Sequence, residues 1–344
     1  MKKIIIGLLG VVMMASASFA AGNNELLGAG ATFPYPLYAK MFDVYNKEKG
    51  IKVNYQAIGS GGGIRQLTSM TVDFGASDAY LTDMEMLDMP AKTLHIPTCL
   101  GGVTLIYNLP GNPELKFTPE LIADIFLGNI KNWNDKRIAK VNPGVQLPSF
   151  PLVVVHRSDG SGTTSIFTDY LTKVSKEWKT EVGAGKAVGW PCGLGGKGNS
   201  GVAGLVKQTQ GSFGYVEYSY ALQNKMPIPA IKNSSGVFVE PSIESVSAAA
   251  EGSIPADTRV SITNTSAKNG YPIAGFTWLL VYQDQNYKGK SMEEAQNLVG
   301  LLTWMTHEGQ QYAKPLDYSP LSAGAVKKVE EIISSIKYAG KKVL

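Results

Sequence analysis

The run Arg157-Ser158-Asp159-Gly160-Ser161-Gly162-Thr163-Thr164 gathers the residue types that hold an anion. The apolar stretch 152–155 ahead of it reads as a strand, and Ile166, Phe167, Tyr170 and Leu171 behind it read as one face of a helix. The uncapped amides of a helix N-terminus carry partial positive charge, so a strand, glycine loop and helix start in succession attract an anion. Gly160 and Gly162 are expected to turn the backbone sharply and bring amides close to a guest, while Ser161 and Thr163 add hydroxyls. Arg157 supplies a planar fork of donors shaped for carboxylate or phosphate oxygens, and Asp159 stands where it could orient that fork. The plainer alternative is a Gly/Ser turn beside a surface ion pair.

Two further stretches share this build. Gly28 and Gly30 lead to Thr32 and Phe33, then Pro34 and Pro36, then Leu37, Met41, Phe42 and Tyr45 at helical spacing, so Thr32 and Phe33 fall at a helix entrance. Gly59-Ser60-Gly61-Gly62-Gly63 follows the alternating, strand-like segment 51–58 and precedes Ile64, Leu67 and Met70, which puts Ser60 at another helix start. Neither stretch fits a nucleotide or nucleophile motif. Phe33 stands where a dinucleotide fingerprint needs its third glycine, and Ile58 where a nucleophile elbow around Ser60 needs a glycine. In the glycine-dense segment 190–201, Gly198 follows Lys197 where a P-loop needs Ser or Thr. Asp78 ends a short strand-like segment, 72–78; such an Asp most often caps a helix or a turn.

Lys2 and Lys3, an apolar run 4–14 and the small residues around Ala20 read as a secretory signal peptide, residues 1–20, with an apolar core too short to span a membrane. The roughly 320 residues beyond it exceed what one compact core usually serves, so two lobes are expected in an exported chain. Of 32 Lys and Arg, two lie in the leader, leaving the remainder near balance with 28 Asp and Glu. No basic stripe marks a nucleic-acid surface, so any anion must be held by a local site. Cys99 and Cys192 could pair in an oxidising compartment or remain separate thiols. His95, His156 and His307 are scattered, with no metal-ligand spacing, and no cofactor is expected.

Strands alternating with helical segments indicate an α/β architecture, in which ligands collect where glycine loops meet helix N-termini at the carboxyl ends of strands. The long apolar segments 95–107 and 271–282 are expected to cross between lobes. Lobe I would then comprise 21–100 plus 275–344 and lobe II 101–274, with the loops at 32 and 60 in one lobe and the loop at 157–164 in the other. The site would be a cleft that closes on its guest. The five tryptophans are expected to pack in the core or on lobe surfaces rather than stack on a ligand, and 225–270 is the least readable stretch.

The stretches at 28–34, 58–62, 72–78, 157–163, 193–199 and 213–218, in order along nearly the whole chain, resemble the phosphate-binding proteins of phosphate ABC transporters, the PstS family. The resemblance implies a type II-like periplasmic binding protein fold, each lobe a mixed sheet flanked by helices, joined by crossover strands. It implies that Thr32, Phe33, Ser60 and Asp78 meet phosphate from one lobe and Arg157, Ser161, Gly162 and Thr163 from the other, with Asp159 orienting Arg157. It further implies a monomer that delivers inorganic phosphate to membrane permease and ATPase subunits. Gly61 and Tyr80 depart from relatives, which can have serine and proline there; neither position is an expected ligand.

A carboxylate in an anion site has a physical reason. Asp78 facing fully ionised sulfate would oppose two acceptors, whereas phosphate near neutral pH still carries a proton to donate. The rival readings are an exported phosphatase or phosphotransferase using the same loops, which lacks visible metal ligands and a nucleophile–base pair, and a surface protein in which the site is incidental.

Overall fold

The computed structural model describes residues 24–252 and 254–343, so the expected leader lies outside the described residues. The strands are β1 (Glu25–Gly30), β2 (Lys52–Ala57), β3 (Phe74–Ser77), β4 (Thr93–Tyr107), β5 (Lys116–Phe117), β6 (Val153–Arg157) and β7 (Leu194–Gly196). They continue with β8 (Ser212–Glu217), β9 (Ala230–Lys232), β10 (Phe238–Val239), β11 (Ala274–Tyr282), β12 (Lys337–Tyr338) and β13 (Lys341–Lys342). Eight of these form one sheet in the order β2-β1-β3-β11-β4-β8-β6-β7. β1 runs parallel to β2 and β3, and β6 runs parallel to β7 and β8. Between these two parallel sets lie the antiparallel strands β11 and β4.

β4 belongs to both halves. Its residues from Thr93 to Gly102 pair with β11, and those from Val103 to Tyr107 pair with β8. Gly101 lies where a Cβ would come within 2.6 Å of the Phe33 ring, so the absence of a side chain lets that ring pack against the strand. The register between β4 and β11 shifts between Thr277 and Trp278, which face Cys99 and Pro97 and leave Thr98 as the extra residue. Pro97 has no N–H to give to a ladder, which suits a bulge. Thr98 bonds the Thr277 carbonyl at 3.3 Å and the Tyr38 hydroxyl at 2.7 Å, securing the irregularity from both sides.

The helices that matter to the site begin at carboxyl ends of strands. After β1 comes Tyr35–Lys49, with Pro36 in its first turn, Leu37, Tyr38, Met41, Phe42 and Tyr45 buried, and Gly50 closing it at φ 70°. After β2 comes Ser60–Thr68, after β6 Gly162–Val174, and after β7 Gly198–Gln208. The apolar segment expected over 271–282 forms a strand only from Ala274; Tyr271 is instead tied by its hydroxyl to the Val103 carbonyl. The stretch 225–270 contributes β9, β10 and the helix Ile243–Ala249, whose turn-rich sequence has no long periodic run. Trp133, Trp178, Trp278 and Trp304 are buried, and half-buried Trp190 stacks on His156.

The helix Ser60–Thr68 lies unusually close to β1. A Cβ on Gly63 would sit 2.4 Å from the Ala29 carbonyl oxygen and 2.5 Å from the Gly30 Cα, both backbone atoms that cannot swing aside. Gly63→Ala is therefore expected to destabilise the protein by about 1–3 kcal/mol, the usual range for an overpacked contact. Thermal melting should show Tm lowered by several degrees; an unchanged Tm would mean that this approach is not constrained.

Candidate functional site

The carboxyl ends of β1, β3, β6 and β7 and the turn after β2 converge, and the loops that follow them touch. Thr32, Ser60, Asp78, Arg157, Ser161 and Thr163 are all buried, although each is polar. Such groups persist in an interior only when their donors and acceptors are met. The contacts run through every loop. Ser60 Oγ accepts from the Asp78 N–H at 3.2 Å and from the Gly162 N–H at 3.0 Å, joining three segments at one oxygen. Gly61 N–H donates to the Gly160 carbonyl at 2.8 Å.

The glycines at 160 and 162 serve a different purpose from the sharp turn expected of them. Neither adopts a positive φ. A Cβ on Gly162 would fall 2.5 Å from the Asp78 Cβ, and one on Gly160 would fall 3.1 Å from the Gly61 Cα. Their role is close approach, which lets two loops meet with backbone against backbone. The positive φ occurs instead at Gly59, 87°, and Gly198, 70°.

Arg157 is held on three sides. Its Nε and Nη2 donate to the two carboxylate oxygens of Asp159 at 2.8 and 2.6 Å, and Nη1 donates to Thr163 Oγ1 at 3.3 Å. Asp159 is in turn fixed by the Gly198 N–H at 3.0 Å. Burial alone would raise the Asp159 pKa, but the hydrogen bonds and charge of Arg157 and the Gly198 amide outweigh it and hold the carboxyl below its usual range. The pair is thus a fixed cation with its neutralising partner on one edge, leaving Nη1 directed into the loop cluster.

Asp78 has the opposite balance. Burial pushes its pKa up to about 7, against the bond from Thr277, the charge of Arg157 and the bond from Ser60. Thr277 Oγ1 donates to Asp78 Oδ1 at 2.6 Å, while Ser60 Oγ reaches Oδ2 only at 3.5 Å. Oδ2 is the oxygen nearest Gly162, at 2.6 Å from the position of a Cβ there, so it faces the helix start carrying Thr163.

Among the described residues, the backbone N–H groups of Thr32, Phe33, Ser60 and Thr163 meet no protein acceptor. Ser161 Oγ accepts from the Thr164 N–H as the helix cap, which leaves its O–H able to donate, and its own N–H goes to the Lys186 carbonyl at 2.8 Å. Phe33 is wholly buried, with its carbonyl bound by the Tyr318 hydroxyl at 2.7 Å; its contribution to the cluster is its amide. Beside Asp78 the gap between the two halves continues as a cavity of about 220 Å³, lined among others by Tyr80, Ser165, Lys186 and Phe276. The Lys186–Glu85 ion pair spans that gap.

Three participants carried little signal in the sequence. Asn199 donates its Nδ2 to Thr32 Oγ1 at 2.9 Å and to Thr163 Oγ1 at 3.1 Å, and closes the glycine-dense stretch 193–199, which carried the resemblance but gave Asn199 itself no role. Thr277 sits inside an apolar strand, and nothing in its neighbours distinguishes it. Tyr220, whose hydroxyl donates to the Thr32 carbonyl at 2.6 Å, belongs to a run that reads only as aromatic and strand-like. Cys99 is buried and Cys192 half-buried, and both are free thiols. No cluster of three or more His, Cys, Asp or Glu suited to a metal occurs among the described residues.

A two-lobed α/β fold whose loops converge amides, hydroxyls and one guanidinium at the carboxyl ends of strands defines a periplasmic-type substrate-binding protein. Residues 15–308 match the PBP superfamily domain. The chain is 43% identical to phosphate-binding protein PstS of Haemophilus influenzae over 95% of both chains. It is 44% identical to that of Xylella fastidiosa over 89% of this chain and 84% of the relative. The fold is similar to that of a high-affinity periplasmic phosphate-binding protein solved with phosphate, with a TM-score of 0.70 and 19% identity over 89% of this chain and 93% of the other. A phosphate-binding protein from Stenotrophomonas maltophilia superposes with a TM-score of 0.67 and 18% identity over the same shares. The chain belongs to the PBP superfamily and, within it, to the PstS family of phosphate-binding proteins.

The Arg157–Asp159 pair generates a stability prediction. The Arg157 side chain is 1% exposed, so removing its partner strands a charge in the interior. Asp159→Ala should destabilise by about 3–5 kcal/mol, whereas Asp159→Ala combined with Arg157→Met should recover part of that loss. Urea unfolding of the three proteins checks this, and a double variant as unstable as the single one would contradict it.

Proposed function

We propose that the chain captures inorganic phosphate from outside the cytoplasmic membrane and hands it to the permease of an ATP-driven phosphate transporter. Family membership supports the ligand class, and the cluster of unspent amides beside Arg157 and Asp78 carries the reading for this chain. Thr32, Phe33 and Ser60 would donate to phosphate from one side and Arg157, Gly162 and Thr163 from the other. Ser161, whose Oγ accepts from the Thr164 N–H as the cap of the second helix, would keep its O–H to donate to phosphate as well. Since the Gly162 N–H here goes to Ser60 Oγ, phosphate would take over that donor and release the serine hydroxyl to donate as well. The lobes would be divided at the change of partner in β4 and at the start of β11, and would close as a hinge on the guest. The protein would act as a monomer, exported by its leader and without catalysis; incubation with a chromogenic phosphate ester should give no turnover.

Asp78 would act as the selectivity element. Ionised, it can only accept, so it admits a guest that still has a proton and opposes sulfate, which has none. Its carboxyl, pushed up to about 7 by burial, becomes a donor as pH falls below that value. A protonated Asp78 no longer repels sulfate. The preference for phosphate over sulfate is therefore expected to be large at pH 8 and to narrow as pH is lowered to 5, and Asp78→Asn should narrow it at pH 8 and change it little at pH 5. Calorimetric titration with both anions tests this; a preference independent of pH and unaffected by Asp78→Asn would remove the carboxylate from selectivity. In the same titration Arg157→Ala should weaken phosphate binding by at least about tenfold, the value of one charge-assisted bond.

A further inference from the structure

The hydroxyls of Thr32 and Thr163 could each donate or accept, yet an anion needs donors, and something must decide. We propose that Asn199 is the positioning residue that commits both hydroxyls to donation toward the bound anion. This rests on the phosphate reading above.

The orientation of the Asn199 amide is set by its neighbour. The Glu217 backbone N–H, which can only donate, faces the amide at 3.0 Å, so the oxygen must point there and Nδ2 must point the other way. Asn199 is wholly buried, which leaves no water to reverse this choice. The two hydrogens of Nδ2 go to Thr32 Oγ1 at 2.9 Å and Thr163 Oγ1 at 3.1 Å. Each threonine then receives a second donor: Thr32 from the Asn199 N–H at 3.3 Å, and Thr163 from Arg157 Nη1 at 3.3 Å.

A hydroxyl oxygen has two lone pairs and one hydrogen. With both lone pairs engaged, the only capacity left to each threonine is its own O–H, and that can go only to an acceptor. Asn199 thus polarises the two hydroxyls in the same sense. Because Thr32 follows β1 whereas Thr163 and Asn199 follow β6 and β7, the arrangement exists only when the two halves of the sheet are together. The same turn fixes Asp159 through the Gly198 N–H, so the guanidinium and the hydroxyls are set from one place.

The test is a double-mutant cycle read by calorimetry with inorganic phosphate. Asn199→Leu, which keeps bulk but removes the amide, should weaken phosphate binding by about tenfold to a hundredfold, the equivalent of one or two hydrogen bonds to a charged acceptor. In a Thr32→Val, Thr163→Val background the same change should cost less than about threefold, because no hydroxyl remains to be committed. An equal loss in both backgrounds would mean a merely structural role and would overturn the inference, as would full affinity in Asn199→Leu. Thermal melts identify any variant that does not fold, and Asn199→Ala then replaces Asn199→Leu in the same cycle. If the parent chain takes no phosphate, or the threonine variants bind as the parent does, the site reading falls and this inference with it. Phosphate binding that depends on the threonines but not on Asn199 overturns this inference alone.

Discussion

An anion removed from water loses a hydration shell worth far more than any single protein contact, and only donors already in place can replace it. That constraint explains the architecture. Backbone amides are such donors, but a helix uses all of them except those of its first turn. To bring several sets of unspent amides to one point, several helices must start there, and parallel strands deliver this because their carboxyl ends share an edge. β1 and β3 from one half and β6 and β7 from the other end at the cluster, and the antiparallel pair β4 and β11 holds the two halves in register. Glycine follows at the points of closest approach because a side chain at Gly162 would collide with Asp78.

The near-neutral charge of the chain fits the same constraint. A broadly positive surface would draw every anion alike, whereas a local site can discriminate among them. Here the cation of the cluster, Arg157, is neutralised along one edge by Asp159, and a second carboxyl, Asp78, sits where burial opposes its ionisation. What remains is a pattern of donors with one acceptor rather than a field. Thr277 matters in this balance because it binds the inner oxygen of Asp78 at 2.6 Å and leaves the outer one toward the helix start. It lies at the register shift beside Thr98, so an irregularity in the pairing of β4 and β11 adjoins the site.

The legible part of this protein was its local chemistry. Arg157 and Asp159 are two residues apart at the end of an apolar run, and a pair so close in sequence can be read without a fold. Thr32, Ser60 and Thr163 stood at glycine loops before helices, and the order of strands and helices gave an α/β class that the sheet displays. Less legible was whatever depends on two distant segments at once. Thr277 looks like any β-branched residue in a buried strand, and its role exists only because β11 lies beside β3. Asn199 is one polar residue among many glycines, and its partners are 167 and 36 residues away. Gly160 and Gly162 were conspicuous, but the reason for them was not: a turn is a local property, whereas contact with Gly61 and Asp78 is not.

This difference bears on how the two halves communicate. Contacts within each half are made by strands and core side chains and are indifferent to a guest. Contacts between the halves near the cluster include polar ones: Gly61 to Gly160, Ser60 to Gly162, Asn199 to Thr32, Tyr220 to the Thr32 carbonyl, Tyr318 to Phe33 and Glu217, and the Lys186–Glu85 pair across the gap. Hydrogen bonds of this kind are nearly balanced by those that water offers when the gap opens, each contributing about 1 kcal/mol net. On the proposed reading, a guest that engages donors on both sides would shift the halves toward the closed form by its differential affinity for that form. On that reading, the polar bonds across the cluster are the ones a guest would exchange as the same loops form a dry site and release what it holds.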